Sequence, residues 1–212
     1  MTMTDEDLRA EICRVGRSLF DRRFTHGATG NLSVRVEGGF LMTPTDASLG
    51  SLAPGSLSLL SDDGRHLSGD PPTKEAALHL AMYRVRPELG AVVHLHGTHA
   101  VAVSCLRGLD ASDLLPPLTA YYAMRVGQLP LIPFFAPGDP DMAEAVAERA
   151  RESHAVMLAN HGPVVGGRTL ARAVQAIEEL EETARLYLLL RGSDVRALTP
   201  DQVDLVRSRY PF

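Results

Sequence analysis

The chain has 212 residues, of which 45% are apolar and 22% charged, and its formal net charge is −5. A chain of this length can bury a substantial core, and no linker or repeat divides it, so we expect one domain spanning residues 1–212. The negative charge offers no general attraction to nucleic acid or to an anionic membrane, and it favours a small polar substrate over a polymer.

The cysteine content and the N-terminal sequence bear on location. Cys13 and Cys105 are too few for a disulfide framework or a thiolate metal site, and such sparse use is typical of a reducing compartment. The sequence MTMTDEDLRAE is acidic where a signal peptide would be basic and then apolar. No apolar run reaches the roughly 18 residues that a membrane helix needs. We therefore expect a cytoplasmic protein.

Periodicity and turn residues predict a helix, a hairpin, a strand and a second helix in the first half of the chain. Leu8, Ile12 and Leu19 share one helical face behind an acidic first turn. A glycine-rich loop then leads into two apolar segments separated by Gly38 and Gly39. The predicted elements are a helix over about 5–22, a hairpin of Leu32–Val36 with Phe40–Met42, a strand at Leu57–Leu60 and a helix over about 74–85 capped by Thr73.

The second half of the chain alternates strands and helices. Ala91–His96 is β-branched and apolar, which predicts a strand, and a helix capped at Thr98 follows it. The other predicted elements are a helix over 139–152, strands over 155–159 and 163–167, and a long helix between Thr169 and Gly192. Strands separated by helices in this order indicate an α/β sheet covered on both faces.

The segment VHLHGTH contains three histidines. Residues i and i+2 of a strand project from the same face, so His94 and His96 can bind one metal ion while Leu95 packs on the other face. His99 follows a turn and is expected to lie outside that pair. The alternative is that these are core histidines with hydrogen-bond partners.

A catalytic zinc site usually takes three protein ligands and leaves one position open for water or substrate. The best candidate for the third ligand is His161 in ANHGP, because it ends a second buried strand and precedes a glycine, as His96 does. A single histidine at a strand end is more often structural, so that interpretation also stays open.

Glu75 is the candidate acid or base, because it lies in the first turn of a helix that leads into the His94 strand. Its alternative role is a favourable interaction with the helix dipole alone. The glycine-rich loop from His26 to Asn31 and the helix start at Thr73 and Lys74 favour anions. Together they suggest a phosphate or carboxylate site near the metal.

Other ionisable side chains are interpreted as structural or solvated. The last helix has an acidic cluster that is interpreted as a solvated face, in which Glu181 pairs with Arg185 at i, i+4. The members of that cluster are Glu178, Glu179, Glu181 and Glu182. The histidines interpreted as structural or solvated are His26, His66, His79 and His154.

Five short motifs occur in register along the chain: GNLSVR at 30–35, TPT at 43–45, PTKE at 72–75, HLH at 94–96 and NHG at 160–162. Over nearly the whole chain this pattern resembles the class II aldolase/adducin family. The resemblance implies a three-layer α/β/α fold around a central mixed, largely antiparallel sheet, and a homotetramer with active sites between subunits. It also implies a divalent metal, usually Zn²⁺, although three histidines also accept Mn²⁺, Co²⁺ or Fe²⁺.

The resemblance also implies a role for individual residues. It makes His94, His96 and His161 metal ligands and Glu75 the acid or base. It assigns phosphate binding to Gly30, Asn31, Thr45 and Thr73, and we include Lys74 in that site. A tyrosine donated across the subunit interface would be Tyr121, with the adjacent Tyr122 left open.

Longer segments, among them LSGDPPTKE and VVHLHGTHAVAVSCLRGLD, are similar to a branch of the family that decarboxylates 3-oxo-tetronate 4-phosphates. One departure is Asp46, which stands where the family commonly has glycine. A carboxylate aimed at a phosphate would repel it. Either Asp46 turns away or the phosphate binds differently in this chain.

The function that these features imply is a lyase of carbohydrate metabolism. It would convert a 3-oxo-tetronate 4-phosphate to dihydroxyacetone phosphate and carbon dioxide through an enolate that the metal stabilises. Retro-aldol cleavage shares that enolate, so an aldolase or epimerase of the fuculose or ribulose phosphate type is the alternative. A non-catalytic adducin-like module is a third hypothesis, although such a module need not keep the ligands.

Overall fold

An eight-stranded mixed sheet forms the middle of the computed structural model, which describes residues 4–136 and 138–211. The strands in this part of the chain are Asn31–Val36 (β1), Gly39–Met42 (β2), Ser58–Ser61 (β3), His66–Ser68 (β4), Ala91–His94 (β5), Leu131–Ile132 (β6), Ala155–Leu158 (β7) and Gly162–Gly167 (β8). They lie in the order β4-β3-β2-β1-β5-β8-β7-β6. Neighbouring strands are antiparallel except for β6 with β7. The predicted mixed, largely antiparallel sheet is therefore confirmed.

Helices cover both faces of the sheet. Those in the described residues are Asp5–Asp21 (α1), Ala76–Val85 (α2), Thr98–Ser104 (α3), Ala120–Arg125 (α4), Pro140–Ala150 (α5), Leu170–Leu190 (α6) and Pro200–Arg209 (α7). Residues of α1, α3, α4 and α6 share a hydrophobic cluster with one face, and residues of α2 and α5 share a cluster with the other. This is the expected three-layer α/β/α arrangement. None of these described helices offers an apolar stretch that would suffice for a bilayer crossing.

Strand β5 runs through the centre and is buried on both faces, as its continuous apolar sequence predicts. Ala91 and Val93 pack in the cluster below α1 and α6, whereas Val92 packs in the cluster below α2 and α5. The strand period of two therefore turns His94 toward the α2 side. Asn31 of β1 lies opposite His94, so polar residues of both strands meet at this end of the sheet.

The structure contains each predicted helix and strand, with ends shifted by a few residues. Two shifts affect the site. Strand β5 ends at His94, so His96 lies beyond the strand. Helix α2 begins at Ala76, so its N-cap is Glu75 and the prediction of Thr73 as the cap is wrong. Four elements of the structure had no predicted bounds, because they are short or bury few side chains. These elements are β4, β6, α4 and α7. Only the last of them has a clear local signal, which is the Thr199 cap followed by Pro200 and Gln202.

Candidate metal centre

Three imidazoles and one carboxylate converge near the end of β5. The ligand atoms of Glu75, His94, His96 and His161 all lie within 4.8 Å of one another. His94 ends β5, His96 follows two residues later, and His161 lies in the turn between β7 and β8. Because β5 and β8 are antiparallel neighbours, with His94 opposite Val164, the turn before β8 lies beside the end of β5. The strand order thus brings together residues that are far apart in sequence.

The backbone of the His161 turn depends on its two neighbours. Asn160 has a φ of 55°, which asparagine adopts more readily than most residues. A Cβ atom at position 162 would lie 2.6 Å from the carbonyl oxygen of Leu95. Only glycine allows this close approach, so the motif NHG serves the backbone as well as placing an imidazole.

The three imidazoles fit a divalent cation. Nδ1 of His94 lies 2.8 Å from the carbonyl oxygen of Pro163, and a carbonyl only accepts, so Nδ1 is protonated and Nε2 presents its lone pair to the cluster. The Nε2 atoms of His94 and His96 are 2.9 Å apart, and the three ring centroids are separated by 4.7–4.9 Å.

The ionisation of these rings also suits a metal ligand. Burial lowers the pKa of His94, and burial with the nearby His94 and His161 lowers the pKa of His96 to about 3. Both rings are therefore neutral, which is the form that binds metal. Neutral imidazoles beside a carboxylate are a donor set that zinc accepts.

Glu75 closes the cluster from the α2 side. It is 9% exposed, and its Oε2 accepts a hydrogen bond from Nδ2 of Asn31 at 2.7 Å. Oε2 lies 3.4 Å from Nε2 of His94, and Oε1 lies 3.2 Å from Nε2 of His161. Burial alone would raise the pKa of this carboxyl, but its neighbours, among them the Asn31 amide that donates to Oε2, outweigh burial and hold the pKa below its usual range. Glu75 is thus an ionised carboxylate within reach of any molecule bound at the imidazoles.

A cavity of about 470 Å³ opens beside the cluster. Its wall combines the imidazoles of His96 and His161 with the apolar rings of Phe134 and Phe135. His26 also lines the cavity, from the glycine-rich loop before β1. The sequence predicts a structural or solvated role for this histidine, whereas its loop favours anions.

The two tyrosines considered for catalysis differ in exposure. Tyr121 is 57% exposed, and the Arg125 guanidinium lies 5.1 Å from its ring centroid. Tyr122 is fully buried in the core, so its hydroxyl has no route to another subunit. Of these two tyrosines, Tyr121 is the one that is accessible to another subunit. Its role in catalysis stays a prediction.

The residues expected to bind phosphate lie at the same end of the sheet. Gly30 has a φ of 78° and little room for a side chain against the end of β5. Thr73 is buried, and its hydroxyl oxygen accepts the N–H of Glu75 at 3.3 Å. Asn31 donates one amide N–H to Glu75. Thr45 is half-buried and directly precedes Asp46. Their binding of phosphate stays a prediction.

Asp46 stands where the family commonly has glycine, and the structure accommodates both its backbone conformation and its charge. Its φ of 54° lies in the left-handed region that a glycine would adopt without strain. Nζ of Lys74 lies 3.1 and 3.4 Å from the two carboxylate oxygens of Asp46. Lys74 therefore neutralises the carboxylate beside the predicted phosphate site.

Glu181 has a structural role in this region that the sequence does not predict. Its side chain is only 14% exposed, so its assignment to a solvated face is wrong. The predicted pair with Arg185 is wrong as well, because Arg185 pairs with Glu182 instead. Its carboxylate accepts the backbone N–H groups of His99 and Ala100 at 2.9 and 2.8 Å, and it lies 2.8 Å from Nδ1 of His99. Glu181 thus caps α3, whereas the predicted cap, Thr98, lies inside the helix. No local pattern predicts a cap from another helix.

Glu181→Ala is expected to lower the free energy of unfolding by about 1–2 kcal/mol, as the loss of a helix cap does. Because the capped turn directly follows His96, the variant should also bind less metal. Glu182→Ala is the matched control, since Glu182 is 50% exposed and contacts Arg185 only at 3.7 Å. Thermal unfolding and metal analysis check the prediction, and equal losses in the two variants would contradict it.

The fold and the cluster together define the class of protein. The chain belongs to the class II aldolase and adducin N-terminal domain family, whose model matches residues 10–188. The 3-oxo-tetronate 4-phosphate decarboxylase of Escherichia coli (strain K12) is 46% identical over 205 residues, which cover 96% of this chain and 97% of the relative. The enzyme of that name from Haemophilus influenzae is 46% identical over 208 residues, with 98% and 99% covered.

A solved structure shows the same similarity. The crystal structure of YgbL from Escherichia coli matches with a TM-score of 0.94 and 45% sequence identity. The match covers 96% of this chain and 99% of that chain.

Proposed function

We propose that this chain is a metal-dependent decarboxylase that converts a 3-oxo-tetronate 4-phosphate to dihydroxyacetone phosphate and carbon dioxide. The observation that carries the proposal is the convergence of Glu75, His94, His96 and His161 beside a cavity. It is supported by the chain's 46% identity, over nearly its whole length, to relatives that carry this name.

The proposed metal ligands are His94, His96 and His161, and the proposed metal is zinc, because three imidazoles are a common catalytic zinc set. When bound, the cation supplies a Lewis acid for the substrate's ketone oxygen, where negative charge develops. The residues around it bind the rest of the substrate and move the proton.

The reaction breaks the bond between C1 and C2 of the substrate, and C1 leaves as carbon dioxide. The electron pair of that bond passes toward the C3 ketone oxygen, and a proton then adds at C2. The whole conversion takes up one proton from solvent. Because Glu75 is ionised, it would first take that proton and then deliver it to C2.

We propose that the protein is a homotetramer in the cytoplasm. In this assembly Tyr121 of a neighbouring subunit would lie beside the reacting substrate. Its 57% exposure leaves the hydroxyl free to reach beyond its own chain. It would assist the delivery of the proton to C2, directly or through water.

The test is to incubate metal-loaded protein with each 3-oxo-tetronate 4-phosphate stereoisomer and to measure carbon dioxide and dihydroxyacetone phosphate. A second set of reactions uses fuculose and ribulose phosphates and measures aldehyde formation. We expect equal amounts of the two decarboxylation products and no activity after EDTA treatment. Activity on the aldol substrates alone would overturn the decarboxylase proposal in favour of an aldolase.

The phosphate of the substrate is proposed to bind Gly30, Asn31, Thr45, Thr73 and Lys74. Lys74→Met should raise KM about tenfold and change kcat little, because it removes a charge-assisted contact to phosphate. Asp46→Asn should lower KM by up to about fivefold, the range of an exposed charge interaction. Asparagine also tolerates a positive φ, so this variant tests charge without backbone strain.

Steady-state kinetics with the phosphorylated substrate measures both effects. Asp46→Gly serves as the backbone control, because it removes the same charge and relieves the left-handed conformation. A rise in KM for Asp46→Asn would contradict repulsion and would show that Asp46 instead holds Lys74 in place.

A further inference from the structure

Behind Glu75, five buried polar side chains form one continuous hydrogen-bonded chain between α2 and β1. Oη of Tyr83 lies 2.9 Å from Oγ of Ser33, which lies 2.7 Å from Nδ1 of His79. Nε2 of His79 lies 2.5 Å from Oδ1 of Asn31, and Nδ2 of Asn31 lies 2.7 Å from Oε2 of Glu75. All five residues are at most 9% exposed. The chain therefore links the candidate acid or base to the interior of the protein.

The spacing of the residues explains why they interleave. Glu75, His79 and Tyr83 are separated by four positions along α2 and its cap, and Asn31 and Ser33 by two positions along β1. Four helical residues advance about 6 Å and two strand residues about 7 Å. The two steps nearly match, so each strand side chain lies between two helix side chains.

The hydrogen bond that Nδ2 of Asn31 donates to Glu75 sets the direction of every other bond in this chain. A carboxylate only accepts, so Asn31 must present Nδ2 to it and Oδ1 to His79. Because Oδ1 also only accepts, a neutral His79 carries its proton on Nε2, and its Nδ1 accepts from the Ser33 hydroxyl. The Ser33 oxygen accepts in turn from Tyr83. The reversed arrangement would place an amide oxygen against the carboxylate.

The far end of the chain is anchored in the core. The Tyr83 ring stacks on Phe40 with centroids 4.6 Å apart, and the Arg35 guanidinium lies 4.8 Å from its centroid. Burial raises the pKa of Tyr83, so its hydroxyl remains a donor. Burial lowers the pKa of His79 to about 3, so its ring remains neutral.

We propose that His79 is a positioning residue for the reaction, which acts through Asn31 to hold Oε2 of Glu75 and so to orient the whole carboxylate. The inference rests on the proposed acid/base role of Glu75. The terminal torsion of a glutamate is soft, so a carboxylate that loses this contact can rotate. Proton delivery to C2 then loses its alignment. The phosphate contact proposed for Asn31 weakens less, because the other residues of that site do not depend on His79.

Two variants of His79 separate positioning from general structural support. Glutamine places its amide N–H near the position of Nε2 and can still donate to Asn31, whereas asparagine is too short to reach. We expect His79→Asn to lower kcat about 10- to 100-fold and to change KM much less, with bound metal nearly unchanged. We expect His79→Gln to retain most of the turnover, although it loses the contact with Ser33. In His79→Asn the amide lies near the position of Nδ1, so that variant keeps the Ser33 contact and loses the one with Asn31.

The control is His154→Gln, which alters a buried histidine elsewhere in the fold. His154→Gln should lower the melting temperature but leave kcat nearly unchanged. A folded His79→Asn protein with wild-type kcat would overturn the proposal. If that variant fails to fold, loss of turnover in a folded His79→Gln protein would overturn it equally.

A spectroscopic measurement tests the direction of these hydrogen bonds without relying on enzyme activity. In protein labelled with ¹⁵N at its eight histidines, long-range ¹H–¹⁵N spectra report which ring nitrogen is protonated. The His79 signals, assigned by their absence from the His79→Gln protein, should show protonated Nε2 and unprotonated Nδ1. Protonated Nδ1 would overturn the proposal. Failure of the decarboxylase function would instead appear as a wild-type protein without turnover and with the expected His79 signals.

Discussion

His96→Ala is expected to lose the bound metal and, with it, turnover. Removal of this imidazole leaves His94 and His161 as the histidines of the cluster, one fewer than the three protein ligands of a typical catalytic zinc site. A metal ion at a reacting oxygen supplies several kcal/mol of charge stabilisation. At about 1.4 kcal/mol for each factor of ten, we expect kcat to fall by at least about 1,000-fold.

Metal analysis of protein purified without chelator, together with carbon dioxide release, measures this effect. His99→Ala is the matched control from the same segment, because His99 contacts Glu181 and lies outside the cluster. It should retain the metal. A His96→Ala protein with full metal and full turnover would contradict the proposed ligand set. An empty wild-type protein whose stability is unchanged by EDTA would favour a non-catalytic module.

Glu75→Gln is expected to retain the metal and to lose turnover. Glutamine keeps the size of the side chain and an oxygen that can accept from Asn31, but it cannot take up and release the proton. Loss of a positioned acid or base typically costs about 100- to 10,000-fold in rate. The three histidines remain, so metal binding should change little.

Single-turnover kinetics and metal analysis of the same preparation separate these two effects. Glu88→Gln is the matched control, because this glutamate pairs with Arg86 and is not part of the cluster. Full activity in Glu75→Gln would contradict the acid/base role. Loss of metal together with turnover would instead indicate that Glu75 is itself a ligand, which its contacts with His94 and His161 also allow.

Several features of the site could be predicted because they depend on local sequence. The spacing of His94 and His96 placed two imidazoles together even though the strand ends at His94. The glycine after His161 indicated a tight turn, and the structure shows the close approach to Leu95 that requires it. The pairing of His161 with the other two was a hypothesis from strand-end position, and the family motifs strengthened it.

Other features had no local signal. Glu181 belongs to an acidic run that resembles any solvated helix face, and only its contact with the start of α3 makes it a cap. His79 lies four residues after Glu75, which indicates a shared helix face, but the sequence does not show that β1 supplies Ser33 and Asn31 between them.

The sequence by itself determined most of the helices and strands, the His94 and His96 pair and, through motifs in register, the family. These follow from periodicity, turn residues and short segments, which act over a few positions. Only the tertiary structure decided which elements meet: β5 between β1 and β8, Glu75 against His94 and His161, and the buried chain from Tyr83 to Glu75. The physical reason is that these contacts depend on strand order and packing, which join residues that no local pattern relates.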